Sequence, residues 1–283
     1  MLIFGAHMSI AEGFGAAARK AVDEYGANAM QIFTKNPRGR GVKQIAESDL
    51  ESYKTYKKRL KFVIAHSSYL LNFGKPMSEI PWAERDLLTD FERMEVLEGD
   101  GIVVHVGKAM GGDEQKAFKN ITENAKIIID KTAKTDIGYF LENTAGQGTE
   151  LGYTLEHLSK INKEMAPAGR RFAFCLDTAH LWAAGFNLST PKSAGKVLTE
   201  IEQAIGAKHI ACFHFNDSKK ELGTRVDRHD NLGKGQIPLE GLAEILNYAV
   251  KKSIPVILET PDKAPEDRKN DLIVLHRLLN LPR

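Results

Sequence analysis

The sequence of 283 residues contains little cysteine, which excludes a fold that depends on disulfide bonds. Its two cysteines, Cys175 and Cys212, are far apart, and each lies within an apolar run. Because disulfide scaffolds and thiolate metal sites need several suitably spaced cysteines, we predict two reduced cysteines in the core of a protein from a reducing compartment. The cytoplasm is the expected location, at the nucleoid if the source is prokaryotic.

Long apolar runs and a strong charge of either sign are also missing. No run approaches the roughly 18 residues needed to span a membrane, and the amino-terminal MLIFGAHMSI lacks the charged and apolar regions of a signal peptide. We therefore expect no membrane association. The net charge of +2 is too small to indicate nucleic acid by itself. With 42% hydrophobic and 27% charged residues, the chain has the composition of an ordinary globular protein.

Short runs rich in β-forming residues alternate with longer segments of helical period along the whole chain. This alternation is typical of a parallel sheet covered by helices, and eight such runs predict a closed (β/α)8 TIM barrel. We expect one domain over residues 1–283, because no linker rich in Pro, Gly or Ser interrupts the pattern. The predicted strands are Leu2–Ala6, Ala29–Phe33, Phe62–Ala65, Ile102–Val106, Gly138–Leu141, Phe172–Leu176, His209–Phe215 and Pro255–Leu258.

Local signals mark several helices between these strands. A Thr-Pro pair at 190–191 suits the N-cap and first position of a helix over 191–205, which a glycine follows. Ser48 and Glu51 have the spacing of a capping box, which predicts a helix ending near Leu60. Further helices are predicted at Gly15–Tyr25, Asp113–Ala133 and Leu239–Lys252.

Nine side chains of metal-binding type lie at or just beyond the ends of the predicted strands. In a (β/α)8 barrel, the carboxyl ends of the strands and the loops after them converge at one face, where active sites form. One His or Glu at a strand end would indicate little, but the same placement recurs on six strands. The residues are His66, His105, Glu142, Asp177, His180, His214, Asp227, His229 and Glu259. The sequence therefore predicts a multinuclear metal site at the mouth of the barrel.

The donor atoms of this set are imidazole nitrogens and carboxylate oxygens, which favour zinc, manganese or iron over a structural cysteine-rich zinc site. Nine ligands are too many for one ion and suit two or three. Asp227 and His229 have the two-residue spacing that places both side chains on one side of an extended loop, whereas Asp177 and His180 could face different ions. Clustered divalent ions are typical of phosphoryl-transfer and hydrolytic enzymes.

Segments spread in order over nearly the whole chain match the motifs of one known family. They are GAH at 5–7, FTKNPR at 33–38, HSSYLLN at 66–72, LENTAGQG at 141–148, LDTAH at 176–180, HFNDSKKELGTRVDRHDNLGKG at 214–235 and ILET at 257–260. On these motifs the chain resembles the endonuclease IV family of apurinic/apyrimidinic endonucleases. RVDRH, downstream of HFNDSK, is the most specific of them.

The resemblance implies an enzyme that hydrolyses the phosphodiester 5′ to an abasic site in duplex DNA, leaving a 3′-hydroxyl and a 5′-deoxyribose phosphate. It implies three zinc ions per chain, which Mn²⁺ or Fe²⁺ could replace, and an additional activity on 3′-blocked ends. The expected partner is thus double-stranded DNA with abasic or 3′-blocked damage. A monomer needs no further assumption.

The resemblance also assigns roles to the predicted ligands. His66 and His105 would bind the first zinc, and Glu142 would bridge it to the second. Glu142, Glu259 and Asp177 would be the catalytic carboxylates. The second site would be completed by Asp177, His214 and Glu259, and the third would be formed by His180, Asp227 and His229. At the end of the first strand, His7 is expected to orient a metal ligand.

An enzyme for abasic sites must detect a missing base, so it should probe the deformability of the duplex and insert side chains into the gap. Arg38, Tyr69 and Leu70 follow the second and third strands, and the resemblance implies that they enter the base stack. Arg225 and Arg228, in the loop after the seventh strand, are expected to contact phosphates.

Two other functions stay open at this point. A metal-dependent sugar isomerase or epimerase is one, because related barrels carry Glu, Asp and His at matching strand ends. Such enzymes typically need two ions and have no role for RVDRH, so Asp227 and His229 distinguish the two classes. A lesion-binding protein without catalysis is the other, and loss of a ligand such as Glu142 or Glu259 would have supported it.

Overall fold

A computed structural model describes residues 1–37, 42–264 and 266–280. Within these ranges, eight parallel strands form a closed barrel, which confirms the predicted fold. The barrel strands are β1 (Phe4–Met8), β2 (Ala29–Ile32), β3 (Phe62–His66), β4 (Gly101–His105), β5 (Gly138–Glu142), β6 (Phe172–Asp177), β7 (Ile210–His214) and β10 (Val256–Leu258). Around the barrel they follow the order β1-β10-β7-β6-β5-β4-β3-β2, and the pairing of β1 with β2 closes it. Two short antiparallel strands, β8 (Asp217–Ser218) and β9 (His229–Asp230), belong to the loop after β7.

Helices follow the strands and cover the outside of the barrel with their apolar faces. They are α1 (Phe14–Arg19, continued by a π-helical turn over Lys20–Glu24), α2 (Glu47–Lys57), α3 (Pro81–Val96), α4 (Glu114–Lys131), α5 (Leu155–Met165), α6 (Thr178–Ala184), α7 (Pro191–Ile205), α8 (Leu239–Lys252) and α9 (Asp267–Leu278). Short 3₁₀ segments lie at Met77–Glu79, Ala166–Arg171 and Ala207–His209. None of the described helices has the length and apolar character that crossing a bilayer requires.

The local helix signals were partly right. The α7 helix has Thr190 as its N-cap and Pro191 at its first position, as predicted. The capping box of Ser48 and Glu51 is wrong, because α2 begins earlier, after Ala46, and has no side-chain cap. The side chain of Asp49 in its first turn instead accepts hydrogen bonds from the backbone N–H groups at the start of α1. The polar residues here therefore join two helices.

The barrel interior is apolar and closely packed below the carboxyl ends of the strands, that is, toward their amino-terminal ends. Its members are Ala29, Ile64, Val103, Phe140, Ala173, Cys175, Cys212 and Ile257, which form one buried cluster. Phe140 has room for its ring because β4 and β5 begin with Gly101 and Gly138, and a Cβ at either position would collide with that ring. Both cysteines are free and buried here, in the core as predicted. We call this cluster the apolar layer.

Candidate metal centre

Six of the predicted ligands lie two residues beyond members of the apolar layer. Because side chains two apart share one face of a strand, the two sets point into the same barrel, one above the other. The pairs are Ile64 and His66, Val103 and His105, Phe140 and Glu142, Cys175 and Asp177, Cys212 and His214, and Ile257 and Glu259. We call the upper set, together with His180, Asp227 and His229 from α6 and the loop after β7, the ligand layer.

Glu142 lies at the centre of the ligand layer and is almost completely buried. Its Oε2 atom is 3.1 Å from Nε2 of His66 and 3.1 Å from Nε2 of His105. Its other oxygen, Oε1, is 2.7 Å from Nδ1 of His214. Glu259 approaches the same His214 nitrogen, with its Oε2 2.9 Å away. Two carboxylates and three imidazoles thus converge on a small buried volume.

The loop after β7 brings a second group of ligands to the other side of the layer. Asp227 has one carboxylate oxygen 3.3 Å from Nε2 of His180 and the other 3.3 Å from Nε2 of His229. The same His229 nitrogen is 3.5 Å from Oδ2 of Asp177. The predicted pairing of Asp227 with His229 on one side of this loop therefore agrees with the geometry.

Three groups of donor atoms lie close enough together to hold metal ions. Within each group, one ligand atom per residue lies within 4.8 Å of all the others. The groups are His66, His105 and Glu142; Glu142, Asp177, His214 and Glu259; and Asp177, His180 and His229. Glu142 and Asp177 each belong to two groups, so a carboxylate is shared at each junction. Asp227 contacts both histidines of the third group from its edge.

In the ligand layer, histidines and carboxylates are buried next to one another, and each shifts the pKa of the other. Burial would lower the pKa of His214, but the carboxylates of Glu259 and Glu142 outweigh it and raise this pKa well above the ordinary value. Burial would likewise raise the pKa of Glu142, yet His214 and His105 hold it well below its usual range. The pKa of Glu259 is held low in the same way, chiefly by His214. Carboxylates therefore stay ionised here and attract a positive charge.

The contacts around individual atoms fit bound cations better than protons. Nδ1 of His214 faces oxygens of both Glu142 and Glu259, and Oε2 of Glu142 faces two imidazoles. One proton shared among several such atoms satisfies them poorly, whereas a divalent ion can accept a lone pair from each of them. The buried Nε2 of His229 has no hydrogen-bond partner within the described part of the chain. Nitrogen and oxygen donors in this number suit divalent ions such as zinc, manganese or iron.

Several polar residues that the sequence patterns did not single out hold the ligands in place. Asn216 is fully buried, donates to Asp177 Oδ2 at 2.6 Å and accepts from the backbone N–H of Glu259 at 2.8 Å. Asn143 accepts from the N–H of Asp177 at 2.7 Å. Gln31 contacts His214 and Glu259. Each of these amides lies beside a ligand motif or within an apolar strand. An amide buried at such a position needs hydrogen-bond partners, and this requirement was the signal in the sequence that could have revealed these residues.

The loop after β7 is stabilised in part by hydrogen bonds between its own residues. The buried carboxylate of Asp217 accepts hydrogen bonds from the backbone N–H groups of four residues in this loop. They are Ser218, Gly233, Gly235 and Ile237. Together with the β8–β9 pairing, these bonds set the position of His229, which is the first residue of β9.

A cavity of about 1450 Å³ opens above the ligand layer. Its lining includes His66, His105, Glu142, His229 and Glu259. The sequence-predicted residues Tyr69 and His7 line the same cavity. Its size and its floor of donor atoms make it the substrate site that the geometry favours.

The predicted DNA-contacting residues lie at the rim of this cavity or beyond it. The side chains of Tyr69 and Leu70 are 43% and 54% exposed, in the loop after β3. Arg225 is exposed, and its guanidinium lies 4.6 Å from the ring centroid of Tyr153. Arg228 is exposed beside Asp227. Arg38 lies outside the described residues.

Comparison with known proteins identifies the family. A family model described as xylose isomerase-like TIM barrel matches residues 19–277. The probable endonuclease 4 of Carboxydothermus hydrogenoformans is 35% identical over 277 residues, which cover 97% of this chain and 95% of that protein. The chain belongs to the endonuclease 4 family. The crystal structure of endonuclease IV from Thermus thermophilus is similar along 98% of both chains, with a TM-score of 0.85 and 29% identity.

The same architecture occurs in proteins with other names. A D-tagatose 3-epimerase-like protein superposes with a TM-score of 0.76 over 99% of this chain and 97% of its own, at 18% identity. At that identity the likeness shows the fold alone. Because the fold is shared, the barrel architecture by itself does not distinguish a nuclease from a sugar epimerase. The distinction has to come from the set of ligands.

Proposed function

We propose that this protein is a zinc-dependent DNA-repair endonuclease that hydrolyses the phosphodiester 5′ to an abasic site in duplex DNA. The products would be a 3′-hydroxyl and a 5′-deoxyribose phosphate, and the same site would remove blocking groups from 3′ ends. The observation that carries the proposal is the complete ligand layer of nine residues in a chain of the endonuclease 4 family.

Three zinc ions would be held by the three groups of donors. His66, His105 and Glu142 would bind the first, and His180, Asp227 and His229 the third. The second would be bound by Asp177, His214 and Glu259 together with Glu142. When bound, these ions would supply a nucleophile at neutral pH and neutralise negative charge on the phosphate during displacement. Mn²⁺ or Fe²⁺ has the same ligand preferences and could take their place.

The chain itself would position the reacting groups. Glu142, Asp177 and Glu259 are our proposed catalytic carboxylates, because they would hold the cations that face the scissile phosphate. Burial of Glu142 and Asp177 excludes water from this floor and strengthens their interactions with cations. We propose that His7 helps to keep that carboxylate in place through Gln31, whose amide nitrogen lies 2.9 Å from Nδ1 of His7 and donates to Oε1 of Glu259.

Recognition of the lesion would take place at the rim. We propose that Tyr69, which lines the cavity, Leu70, which is exposed next to it in the same loop, and Arg38 enter the gap that a missing base leaves in the stack. The sugar at the lesion could then turn into the cavity. Arg225 and Arg228 would contact phosphates, and packing of Arg225 on Tyr153 reduces the number of orientations that its guanidinium samples.

We further propose that one domain, residues 1–283, acts as a monomer in the cytoplasm, at the nucleoid if the source is prokaryotic. All three donor groups come from one chain, so the site requires no residue from a second copy. The two buried free cysteines suit a reducing compartment.

The test is incision of a duplex oligonucleotide that carries one tetrahydrofuran abasic analogue, with metal content measured on the same sample. Cleavage 5′ to the lesion with a 3′-hydroxyl product and about three zinc ions per chain is the expected result. Glu259→Gln should keep DNA binding and lose cleavage, whereas the matched surface variant Glu123→Gln should behave as wild type. A fully loaded wild type that leaves the lesion intact would refute the proposal and direct a search toward sugar substrates.

A further inference from the structure

Two adjacent strands of the barrel, β1 and β2, contribute no ligand at the level where the other six strands do. On β2, the residue two positions beyond Ala29 of the apolar layer is Gln31, and its relative exposure is 0%. Its register partner on β1 is His7. Gln31 therefore points into the ligand layer among imidazoles and carboxylates, although an amide is a weak ligand for zinc.

Through its two amide atoms, Gln31 contacts two members of this layer and also His7. Its Oε1 lies 2.7 Å from Nε2 of His214. Its Nε2 donates to Oε1 of Glu259 and lies 2.9 Å from Nδ1 of His7. A carboxylate can only accept hydrogen bonds, so the nitrogen of the amide must face Glu259 and the oxygen must face His214. The orientation of the amide follows from this chemistry.

The amide oxygen decides which nitrogen of His214 carries the proton. An amide oxygen can only accept, so Nε2 of His214 must be the N–H nitrogen. Nδ1 of the neutral ring then keeps its lone pair, and this is the atom that faces Glu142 and Glu259. Gln31 also bonds to Oε1 of Glu259, which leaves the other oxygen, Oε2, facing Nδ1 of His214 at 2.9 Å.

The other buried ligands of this kind are held differently. Nδ1 of His66 donates to the backbone oxygen of Ser67 at 2.7 Å, and Nδ1 of His180 donates to the backbone oxygen of Asn143 at 2.8 Å. Those rings are fixed by the main chain, which a substitution does not remove. The orientation of His214 rests on the side chain of Gln31, so it can be tested by mutation.

We propose that Gln31 is a positioning residue that sets the ligand atoms of the second metal group. It would keep the proton of His214 on Nε2 and would orient Oε2 of Glu259 toward the second metal group. Nδ1 of His214 and Oε2 of Glu259 would then both present lone pairs to one ion. Carboxylates and carbonyls bonded to metal-binding histidines act in this way, and their loss typically weakens metal affinity about 10–100-fold. The inference depends on the proposed function only in that it requires an ion in this group.

The test measures metal binding rather than DNA cleavage. In Gln31→Leu, which removes both hydrogen bonds at similar volume, we expect one of the three zinc ions to bind about 10–100-fold more weakly in competition with a chromophoric chelator. The other two ions should bind as in wild type. The matched control is Gln203→Leu, at an exposed position on α7, which should leave all three affinities unchanged. Folding of each variant is checked by circular dichroism.

Gln31→Glu separates the two contacts. Its carboxylate still accepts from Nε2 of His214 but repels Glu259, so we expect a loss smaller than that of Gln31→Leu and confined to the same ion. Long-range ¹H–¹⁵N NMR of the zinc-loaded wild type supplies a readout that needs no variant. The expected spectrum shows His214 protonated at Nε2 and bound through Nδ1.

The outcomes separate this inference from the proposed function. Zinc affinities of folded Gln31→Leu within twofold of wild type for every ion would overturn the inference, and so would a His214 ring protonated at Nδ1 in the loaded wild type. If the variant loses one ion but the wild type leaves abasic DNA intact, the positioning role stands and the proposed function fails. If Gln31→Leu does not fold, the NMR result on the wild type decides.

Discussion

The two layers inside the barrel come from the same strands but differ in what they contribute. On the six strands that supply both, the apolar layer and the ligand layer are separated by only two residues, about 6–7 Å along the strand. Below, side chains such as Ile64 and Phe140 exclude water and hold the strands together. Above, His66 and Glu142 lie in nearly the same degree of burial and attract cations. Depth along the strand therefore separates stability from chemistry, as expected for this fold.

This comparison predicts that the largest loss of activity follows a change at the centre of the upper layer. Glu142→Gln removes a carboxylate shared by two donor groups. We expect incision of abasic duplex to fall by at least about 10³-fold, because a shared ligand supports several kcal/mol of charge stabilisation. Single-turnover incision assays with the surface variant Glu123→Gln as control measure this. Incision within tenfold of wild type would mean that Glu142 is not a bridging ligand.

A change in the lower layer should have the opposite profile. In Phe140→Ala, loss of a buried ring should lower the free energy of unfolding by about 3–5 kcal/mol. Zinc content per folded chain should stay the same, since the donors lie one layer higher. Urea unfolding and metal analysis provide the two measurements, and Phe140→Leu should show a smaller loss of stability. Loss of metal by folded Phe140→Ala would show that the layers are not separable.

Removal of metal from the ligand layer should lower the stability of the whole fold. Without ions, the buried carboxylates of Glu142 and Asp177 lose their counter-charges, so the chelated protein should unfold at a lower temperature. Each ion at a free concentration of 100 times its dissociation constant stabilises the fold by about 2.7 kcal/mol. Calorimetry before and after chelation, followed by return of zinc, measures the difference. An unchanged unfolding temperature in protein shown to be metal-free would contradict a buried metal centre.

The smallest effect on the fold is expected at the rim, outside both layers. Tyr69→Ala and Leu70→Ala alter exposed side chains, so stability should change by less than about 0.5 kcal/mol. Affinity of Tyr69→Ala for abasic duplex should nevertheless fall roughly tenfold or more, because stacking of an aromatic ring on a base is worth about 1–3 kcal/mol. Leu70→Ala, which removes only an apolar contact, should lose less. Fluorescence anisotropy with abasic and intact duplex tests this. Equal losses on both duplexes would place the two residues outside lesion recognition.

Sequence reasoning reached the barrel and the convergence of the ligands because both depend on short local patterns. A short apolar run that ends in His66 or Glu142 indicates, from its own residues, a buried strand and the side chain at its carboxyl end. It did not find Gln31 or Asn216, whose roles depend on contacts with ligands on other strands. It also misassigned the start of α2, because Asp49 interacts with α1, which is more than thirty residues away. Partners set by register cannot be read from local spacing.

The loop after β7 has a consequence for how such barrels can be converted into one another. The hydrogen bonds of Asp217 run to backbone groups no further away than Ile237. The part of the loop that carries Asp227 is also bonded to α6, because the N–H groups of Gly223 and Arg225 donate to the backbone oxygens of Trp182 and Ala183. The loop therefore forms one unit with α6, which itself carries His180. Grafted together with α6 onto a related barrel that binds two ions, it should deliver His180, Asp227 and His229 as ligands for a third. Cut from this one, it should leave a barrel with the first two metal groups and without the third.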